Sequence, residues 1–287
     1  MNKKEGEMNR TKIEWVKNPD GTQGYTWNPI TGCLNGCPYC YARKLANGRL
    51  KERYLMNDNI SRELCWPQGE LNKAELDKAL ADPFYPRFWE ERLNEPYTYG
   101  RNFAQSGRAH KGIFVCDMGE LFGDWVPRKW QEKIFYVIEG CPQHRFYLLT
   151  KQPQNLIKFS PFPDNCWVGV TATDVKQYRA AREGLHSVKA TIKFISFEPL
   201  LEHIPVSMMG SKYSADIAWP IIGAQTQPYK PPKIEWVEEI VRAAGQAGMP
   251  VFLKNNLYPL LKIGMGKSIF HIGGFGELRQ EMPEVKG

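Results

Sequence analysis

The sequence lacks any long hydrophobic run. Its longest apolar stretches, such as FYLL and GIFVC, are a few residues long, whereas a helix that crosses a bilayer needs about 20 apolar residues. The first ten residues, MNKKEGEMNR, are charged and lack the apolar centre of a secretory signal peptide. We therefore expect a cytoplasmic protein that does not associate with membranes.

The seven cysteines do not form the pattern of a disulfide framework. Their number is odd and their spacing irregular, and none follows Cys166. We expect them to be reduced, and we expect no second metal cluster in the C-terminal part. With 287 residues, of which 42% are hydrophobic, the chain can bury a core without disulfides.

The chain carries a net charge of +7, but its lysines and arginines are spread along the sequence. A basic balance is compatible with a phosphate-bearing partner. Because no block of positive charge stands out, the charge suggests a nucleic acid without establishing it.

Short runs rich in β-branched and aromatic residues alternate with amphipathic stretches from about residue 112 onward. The runs are 112–118, 145–150, 166–172, 192–198, 217–224 and 251–255. Such alternation predicts an α/β fold with a parallel sheet and crossover helices. No G-x-G-x-x-G turn follows the first strand, which favours a full or partial (β/α) barrel of the TIM type over an open doubly wound sheet.

Two helices between these strands have clear amphipathic patterns. We expect one helix in 127–140, opened by Pro127, and another in 233–245, ended by Gly245. A third helix is predicted over PYCYARKLANGRLKERY, residues 38–54.

We expect one domain over 1–287, with an insertion at about 57–110 and a C-terminal tail at about 262–287. The insertion is aromatic, basic and interrupted by prolines. It is predicted to pack its aromatic residues on the barrel, or alternatively to form a lid or a platform that stacks on bases.

Polar residues follow each predicted strand, where the strand ends of a parallel barrel converge on the active-site face. They are Asp117, Glu120, Thr150, Lys151, Thr171, Thr173, Asp174, Ser196, Glu198, Gln225, Thr226, Lys254 and Asn255. Glu198 and Lys254 are flanked by apolar residues, and an ionisable group in such a place should have a partner or a task. We take these two as candidate substrate residues.

Three cysteines lie within eight residues, as Cys33, Cys37 and Cys40. A structural zinc site takes four ligands, so zinc would require a distant fourth ligand such as Cys65. A [4Fe–4S] cluster held by three thiolates leaves one iron open to an exogenous ligand. Gly32 and Gly36 permit the backbone angles of a tight cluster loop.

The C-x3-C-x2-C spacing, with an aromatic residue before the last cysteine, resembles the signature of the radical S-adenosylmethionine (radical SAM) superfamily. The resemblance implies a full or partial (β/α) barrel and a [4Fe–4S] cluster on the three cysteines. It implies that S-adenosylmethionine chelates the open iron and is cleaved reductively to a 5′-deoxyadenosyl radical, which abstracts hydrogen from a substrate. An external flavodoxin- or ferredoxin-like electron donor is also implied.

The resemblance assigns further residues position by position. Tyr39 matches a position that contacts adenine. The MGE segment, Met118, Gly119 and Glu120, resembles a Gly-Gly-Glu motif that meets the methionyl amino group. Thr173 and Ser196 lie at strand ends where related enzymes hold the ribose or the carboxylate. Lys151 is a candidate for neutralising the carboxylate. Cys116 is a candidate hydrogen-atom donor.

Segments along nearly the whole chain are similar to an uncharacterised, phage-associated subfamily of these enzymes. They include TWNPITGC, DMGELFGDWVP, WVGVTATD, FISFEPLL and VFLKN. The subfamily's GGES segment is here GAQT, residues 223–226, which removes its glutamate and leaves the substrate open. A nucleic acid and a protein or peptide both remain candidates, as do lyase and transferase chemistry.

Two other classes of protein remain open. The chain could be a zinc- or cluster-stabilised nucleic-acid-binding protein without catalysis, or a degenerate barrel that binds the cofactor and acts through a partner. Bound iron or zinc, and release of 5′-deoxyadenosine, would distinguish these readings.

Overall fold

The computed structural model describes residues 8–65, 72–98, 110–205, 217–261, 268–271 and 277–284. The fold is α/β, as predicted. Eight strands take part in mostly parallel pairing, four in each of two compact units. The first unit comprises Met1–Lys12 and Val16–Leu148, and the second comprises Ile13–Trp15 and Leu149–Gly287.

The first unit contains a ladder of four strands in the order β1-β2-β5-β6. They are β1 (Asn9–Arg10), β2 (Tyr25–Trp27), β5 (Gly112–Val115) and β6, which begins in this unit (Arg145–Thr150). β2, β5 and β6 are parallel, and β1 is antiparallel to β2. A separate antiparallel pair joins β3 (Ile30–Thr31) to β4 (Arg87–Phe88). The parallel strands all present their carboxyl ends to one edge, the usual place for a binding site.

The helices of the first unit are mostly short. They are α1 (Tyr41–Asn47), α2 (Lys51–Leu55), α3 (Lys73–Ala81), α4 (Glu95–Thr98) and α5 (Arg128–Glu139), with a 3₁₀ helix at Glu90–Asn94. α5 starts directly after Pro127, as predicted, and buries Trp130, Ile134 and Ile138 on one face. Its apolar residues recur at helical spacing, so one face packs while the other meets water.

The second unit contains the parallel strands β7-β8-β9-β12. They are β7 (Cys166–Thr171), β8 (Ile192–Phe197), β9 (Trp219–Ile222) and β12 (Phe252–Leu253), and a small hairpin pairs β10 (Gln225–Thr226) with β11 (Tyr229–Lys230). The helices are α6 (Val175–His186), α7 (Ile234–Gln246) and α8 (Tyr258–Leu261), with 3₁₀ helices at Pro153–Phe159, Asn255–Leu257 and Ser268–Phe270.

Aromatic side chains form the centre of the second unit's core. Trp219 is fully buried and makes edge-on or tilted ring contacts with Trp15, Trp167, Phe194 and Phe252. Large rings bury more apolar area than any other side chains, so this cluster is a major source of hydrophobic stabilisation. It also fixes the segment around Trp15 against β8 and β9.

The predicted strands are confirmed, each within a few residues of its expected bounds. Two helix predictions are wrong in detail. Residues 38–54 do not form one helix, because α1 ends at Asn47 with Gly48 as its C-cap and α2 begins only at Lys51. Gly245 does not end α7, which continues to Gln246.

The finer predictions of barrel closure and of a single domain over 1–287 stay predictions. Parts of the expected insertion, 66–71 and 99–109, lie outside the described residues, as do 262–267, 272–276 and 285–287 of the expected tail. In the part of the chain that the structure describes, no helix combines the length and the apolar character that spanning a membrane requires.

Candidate functional site

The three predicted metal ligands lie on one connecting segment, residues 32–40, which we call the cysteine loop. It joins β3 to α1 in the first unit. Cys33, Cys37 and Cys40 are all partly exposed, and none of them forms a disulfide. Cys33 and Cys40 also pack against a buried apolar cluster that contains Phe84 and Met118. The loop is therefore anchored on its inner side by this packing, while its three cysteines remain partly exposed as residues.

Gly32 ties the start of the loop to two neighbouring segments. It has a φ of +92°, and a Cβ atom there would lie 2.4 Å from the carbonyl oxygen of Tyr85. Its N–H donates to the carbonyl of Met118 at 2.9 Å, and it forms an isolated parallel bridge with Gly119. Only glycine combines this backbone angle with so close an approach.

That bridge brings the MGE segment against the cysteine loop, as expected if both serve one site. Glu120 is 4% exposed; its Oε1 accepts the N–H of Phe122 at 3.0 Å and its Oε2 accepts from Nδ2 of Asn35 at 3.3 Å. A carboxylate is thereby held beside the loop that carries the thiols. Asn35 was not predicted, and no sequence pattern singled it out.

Backbone N–H groups point at two of the sulfur atoms. The Sγ of Cys33 accepts from the N–H of Asn35 at 3.4 Å, and the Sγ of Cys40 accepts from the N–H of Arg43 at 3.3 Å, so that Cys40 caps the start of α1. Such N–H···S bonds favour negative charge on sulfur. The capping role follows from the position of Cys40 directly before the helix.

The electrostatics at Cys33 favour the neutral thiol in the absence of a bound cation. Burial, together with the Glu120 carboxylate and the neighbouring Cys37 and Cys40, raises the pKa of Cys33 to about 12, although the N–H of Asn35 opposes this. Metal binding to such a group releases its proton.

The cysteine loop fits an iron–sulfur cluster in donor type and number, with three sulfur atoms on a short glycine-containing segment. Among residues 8–65, 72–98 and the other described ranges, no group of three or more histidine, cysteine or carboxylate side chains is arranged to hold a metal ion. The loop therefore contains suitable donors, and its side chains would have to reorient to bind one centre.

Arg43 secures the outer edge of the loop. Its guanidinium donates to the carbonyl of Cys33 at 3.1 Å, forms an ion pair with Asp82 at 3.4 Å, and lies 4.9 Å from the centre of the Phe84 ring. The side chain links α1 to the residues before β4. Sequence reasoning missed it, because a single arginine in a helix carries no distinguishing pattern.

Cys116 differs from the loop cysteines. It is 4% exposed, follows β5 directly and has a φ of +60°, an angle that non-glycine residues seldom adopt. Burial raises the pKa of this thiol above its usual range. Its role as a hydrogen-atom donor stays a prediction.

Asp117 follows Cys116 and is held by two side chains. Its Oδ1 accepts from Nδ2 of Asn28 at 2.6 Å, and its backbone carbonyl accepts the Tyr41 hydroxyl at 2.8 Å. Burial raises the pKa of this carboxyl to about 6, against the opposing effect of hydrogen bonds from Asn28 and Tyr41. Because Tyr41 is the first residue of α1, these contacts also hold the helix that follows Cys40.

The second unit contains a different candidate site, built around Lys254 at the end of β12. Its Nζ forms an ion pair with Oε1 of Glu198, which follows β8, and lies 4.0 Å from Oε2 of Glu14. The structure thus brings together the two predicted substrate residues and adds a third. We call these three residues the Lys254 group.

Glu14 is another functional candidate that was not predicted from the sequence. Its Oε1 accepts the N–H of Asn255 at 3.2 Å, whereas its Oε2 is buried and has no hydrogen-bond partner in the structure. The argument applied to Glu198 also fits Glu14, since it lies between the apolar Ile13 and Trp15.

The charges of the Lys254 group are tightly linked. Burial disfavours the ammonium ion, but Glu198 and Glu14 outweigh it and raise the pKa of Lys254. Burial raises the pKa of Glu14, although Lys254 opposes this. A buried lysine with two carboxylates can hold, donate or accept a proton for a bound molecule.

Glycine at position 223 makes room for this group. A Cβ atom there would lie 3.0 Å from Cδ of Lys254 and 3.2 Å from Cγ of Glu198. The side chain of Asn256 forms two hydrogen bonds with the backbone of Ala224, the residue after Gly223. It accepts from the Ala224 N–H at 3.0 Å and donates to the Ala224 carbonyl at 2.9 Å. The GAQT segment thus lines the Lys254 group with backbone atoms and contributes no carboxylate there.

The remaining predicted cofactor residues lie in both units. Tyr39 is a partly exposed member of the cysteine loop. In the second unit, Ser196 lies within β8 opposite Thr171, Thr173 is 1% exposed, and Lys151 is partly exposed after β6. Their roles in cofactor binding stay predictions.

The fold and the cysteine loop define an α/β protein with a three-cysteine motif on a strand-to-helix connection. The chain belongs to the family described as "Protein of unknown function (DUF5131)", whose model matches residues 10–258. That range contains the cysteine loop, the MGE segment and the Lys254 group. Neither a curated protein nor a solved structure matches the chain.

Proposed function

We propose that this protein is a radical SAM enzyme with one [4Fe–4S] cluster and a full or partial (β/α) barrel. The observation that carries the proposal is the bridge between Gly32 and Gly119, which sets the MGE segment beside the cysteine loop. Two motifs that are remote in sequence and belong to one expected site are thereby neighbours. The parallel strands of each unit also support a barrel-type architecture.

In this proposal Cys33, Cys37 and Cys40 hold the cluster. When bound, the cluster and S-adenosylmethionine supply hydrogen abstraction by a 5′-deoxyadenosyl radical, with electrons from a flavodoxin- or ferredoxin-like donor. Glu120 accepts the methionyl ammonium group, since its carboxylate already lies beside the loop.

Residues elsewhere would complete cofactor binding. Tyr39 contacts the adenine, Lys151 neutralises the carboxylate, and Thr173 and Ser196 hydrogen-bond the ribose or the carboxylate. Hydroxyl groups and a lysine can supply the donors and the positive charge that those groups require.

The Lys254 group is the proposed substrate site. Lys254 and Glu198 offer a cation and a carboxylate at the carboxyl ends of β12 and β8, the end of a parallel sheet where substrates of such enzymes bind. The buried Oε2 of Glu14 adds an acceptor without a donor. The side chains of the Lys254 group can orient a polar part of the substrate. We propose that the substrate is a nucleic acid, a protein or a peptide in the cytoplasm.

The test is anaerobic reconstitution with iron and sulfide, followed by reduction in the presence of S-adenosylmethionine. We expect about four irons per chain, a brown colour and cluster-dependent release of 5′-deoxyadenosine. The Cys37→Ala variant should lose both the iron and the release. Iron content unchanged by Cys37→Ala would refute the proposal without reference to catalysis.

Cys65→Ala is the matched control. Cys65 is 1% exposed, packs with Ile60 and Ala79, and its Sγ lies 3.8 Å from the Tyr85 hydroxyl. Our proposal predicts unchanged iron content in this variant. The zinc alternative, with Cys65 as fourth ligand, predicts that the purified protein contains zinc and that both variants lose it.

A further inference from the structure

A cavity of about 350 Å³ lies in the first unit and is lined by three arginines, Arg49, Arg53 and Arg92. Its size falls at the lower end of the range of small-molecule sites, roughly 300–1,000 Å³. Tyr41 and Met118 also line it, so it adjoins the cysteine loop, although no cysteine is among its lining residues. Neither the proposed cluster nor the proposed cofactor residues account for the arginines.

Two of the guanidinium groups lie beside the same ring. Arg92 is 4.0 Å and Arg53 is 5.8 Å from the centre of Trp89. Burial, and next the positive charge of Arg53, lower the pKa of Arg92. Tyr54, Glu95 and Glu91 oppose this effect in part, and a bound anion beside the two guanidinium groups would offset their repulsion further.

The arginines keep most of their donors available. Within the described ranges, Arg92 donates to the carbonyl of Asn28 at 2.8 Å, whereas a guanidinium carries five N–H donors. Arg49 and Arg53 are exposed, and neither forms an ion pair with another residue in the described part of the chain. They can therefore turn towards a ligand without breaking an internal bond.

Two carboxylates also line the cavity, Glu95 and Asp117. Asp117 already accepts hydrogen bonds from Asn28 and Tyr41, and Glu95 is buried near Arg92. Three cations against two anions leave the cavity with a positive balance. Arg49 and Arg53 are exposed residues, so two of the three cations can be reached by a ligand from solvent.

We infer that this cavity binds a phosphate-bearing organic ligand of about nucleotide size, with the phosphate on Arg49, Arg53 and Arg92. Guanidinium groups match phosphate oxygens in charge and in hydrogen-bond geometry. The remaining volume, walled by Tyr41, Tyr54 and apolar side chains, accommodates the organic part. The inference does not depend on a bound iron–sulfur cluster.

The test is titration calorimetry of the full chain with adenosine 5′-diphosphate, pyrophosphate and adenosine. Adenosine 5′-diphosphate should bind, adenosine should not, and added salt should weaken binding. Arg53→Gln should weaken binding by at least about tenfold, because a charged hydrogen bond is lost. Arg92→Lys, which keeps the charge but loses the fork of donors, should weaken binding as well.

Arg242→Gln is the matched control, since Arg242 is an exposed arginine of the second unit that pairs with Glu238. It should leave the affinity unchanged. Any of three results would overturn the inference. They are equal affinity of wild type and Arg53→Gln for adenosine 5′-diphosphate, equal affinity for adenosine and its diphosphate, and no binding of any phosphate compound. A parallel titration with a single-stranded oligonucleotide tests whether a nucleic-acid polymer can supply the phosphate. If both the oligonucleotide and adenosine 5′-diphosphate bind in a way that depends on Arg53, the site is supported and a polymer can supply the phosphate.

Discussion

The ammonium group of Lys254 forms an ion pair with the carboxylate of Glu198, 56 residues away in the chain. Each side chain stands at the end of a parallel strand. Glu14 comes within 4.0 Å of the same ammonium group, so one cation serves two partly buried carboxylates. Removal of the lysine should therefore cost far more than the loss of one surface contact.

We expect Lys254→Met to lower the free energy of unfolding by about 2–4 kcal/mol, because two partly buried carboxylates lose their counter-charge. The matched control is Lys78→Met, which removes an exposed pair with Glu75 at 2.7 Å and should cost at most about 1 kcal/mol. Urea unfolding at neutral pH measures both. Equal losses in the two variants would show that the Lys254 group contributes no more than a surface pair.

The strand-end positions of Lys254 and Glu198 could be predicted from the sequence because the alternation of strands and helices located their strands, whereas the pairing of the two residues was not predicted. Once β8 and β12 were identified, both residues had to lie at carboxyl ends of parallel strands. Glu14 could not be placed in this way, since it belongs to no strand and reaches the group through Trp15, whose ring packs on Phe194 and Trp219. Tertiary packing, which no local pattern encodes, brought it there.

In the cysteine loop, too, the features set by neighbouring residues could be predicted from the sequence, whereas the contacts between remote segments could not. The C-x3-C-x2-C spacing is a local property and predicted the thiol segment. The contact of Gly32 with Met118 depends on the pairing of segments more than 80 residues apart, and only the resemblance suggested it. The break between α1 and α2 was missed because the helical pattern continues through Gly48.

The partly buried Glu14 should make the free energy of unfolding decrease as pH rises. Burial raises its pKa in the folded state, so the unfolded state ionises first and the folded state is penalised as pH rises. We expect the free energy of unfolding of Glu14→Gln, relative to wild type, to increase between pH 4 and pH 7. Glu52→Gln, at an exposed helix position, should show no such trend, and a flat difference for Glu14→Gln would contradict the assignment.

His144 should have the opposite effect, so that the free energy of unfolding increases as pH rises. It is 2% exposed; its Nδ1 accepts the N–H of Lys111 at 3.2 Å, and its Nε2 lies 3.3 Å from the carbonyl of Pro96. These contacts suit a neutral ring that donates from Nε2. Burial lowers the pKa of His144 to about 4, so its contribution is complete above pH 6.5 and is lost as pH falls towards 4.

The loss at pH 4 should reach about 3 kcal/mol, the value that corresponds to the change in pKa from 6.5. The His144→Gln variant has an amide that can accept and donate but does not titrate. The difference in free energy of unfolding between wild type and this variant, followed from pH 7 to pH 4, isolates the histidine. A difference that stays constant over this range would mean that His144 is protonated equally in both states.

Two glycines of the cysteine loop offer a matched pair of substitutions. Gly32 and Gly36 both have positive φ angles, +92° and +69°. At Gly36 a Cβ atom would have nothing within 4 Å, whereas at Gly32 it would lie 2.4 Å from the carbonyl oxygen of Tyr85. Gly36→Ala should therefore cost only the backbone strain, about 1–2 kcal/mol. Gly32→Ala adds a clash with backbone atoms that cannot be relieved by a side-chain rotation, so its cost should be clearly larger.

Thiol reactivity supplies a second readout for this pair. Because the Gly32 N–H anchors the loop to Met118, Gly32→Ala should displace Cys33 and speed its alkylation by iodoacetamide under native conditions. Gly36→Ala should leave the rate close to that of wild type, since the anchor is intact. Equal unfolding midpoints and equal alkylation rates in the two variants would mean that the contact of Gly32 with the MGE segment does not hold the cysteine loop in place.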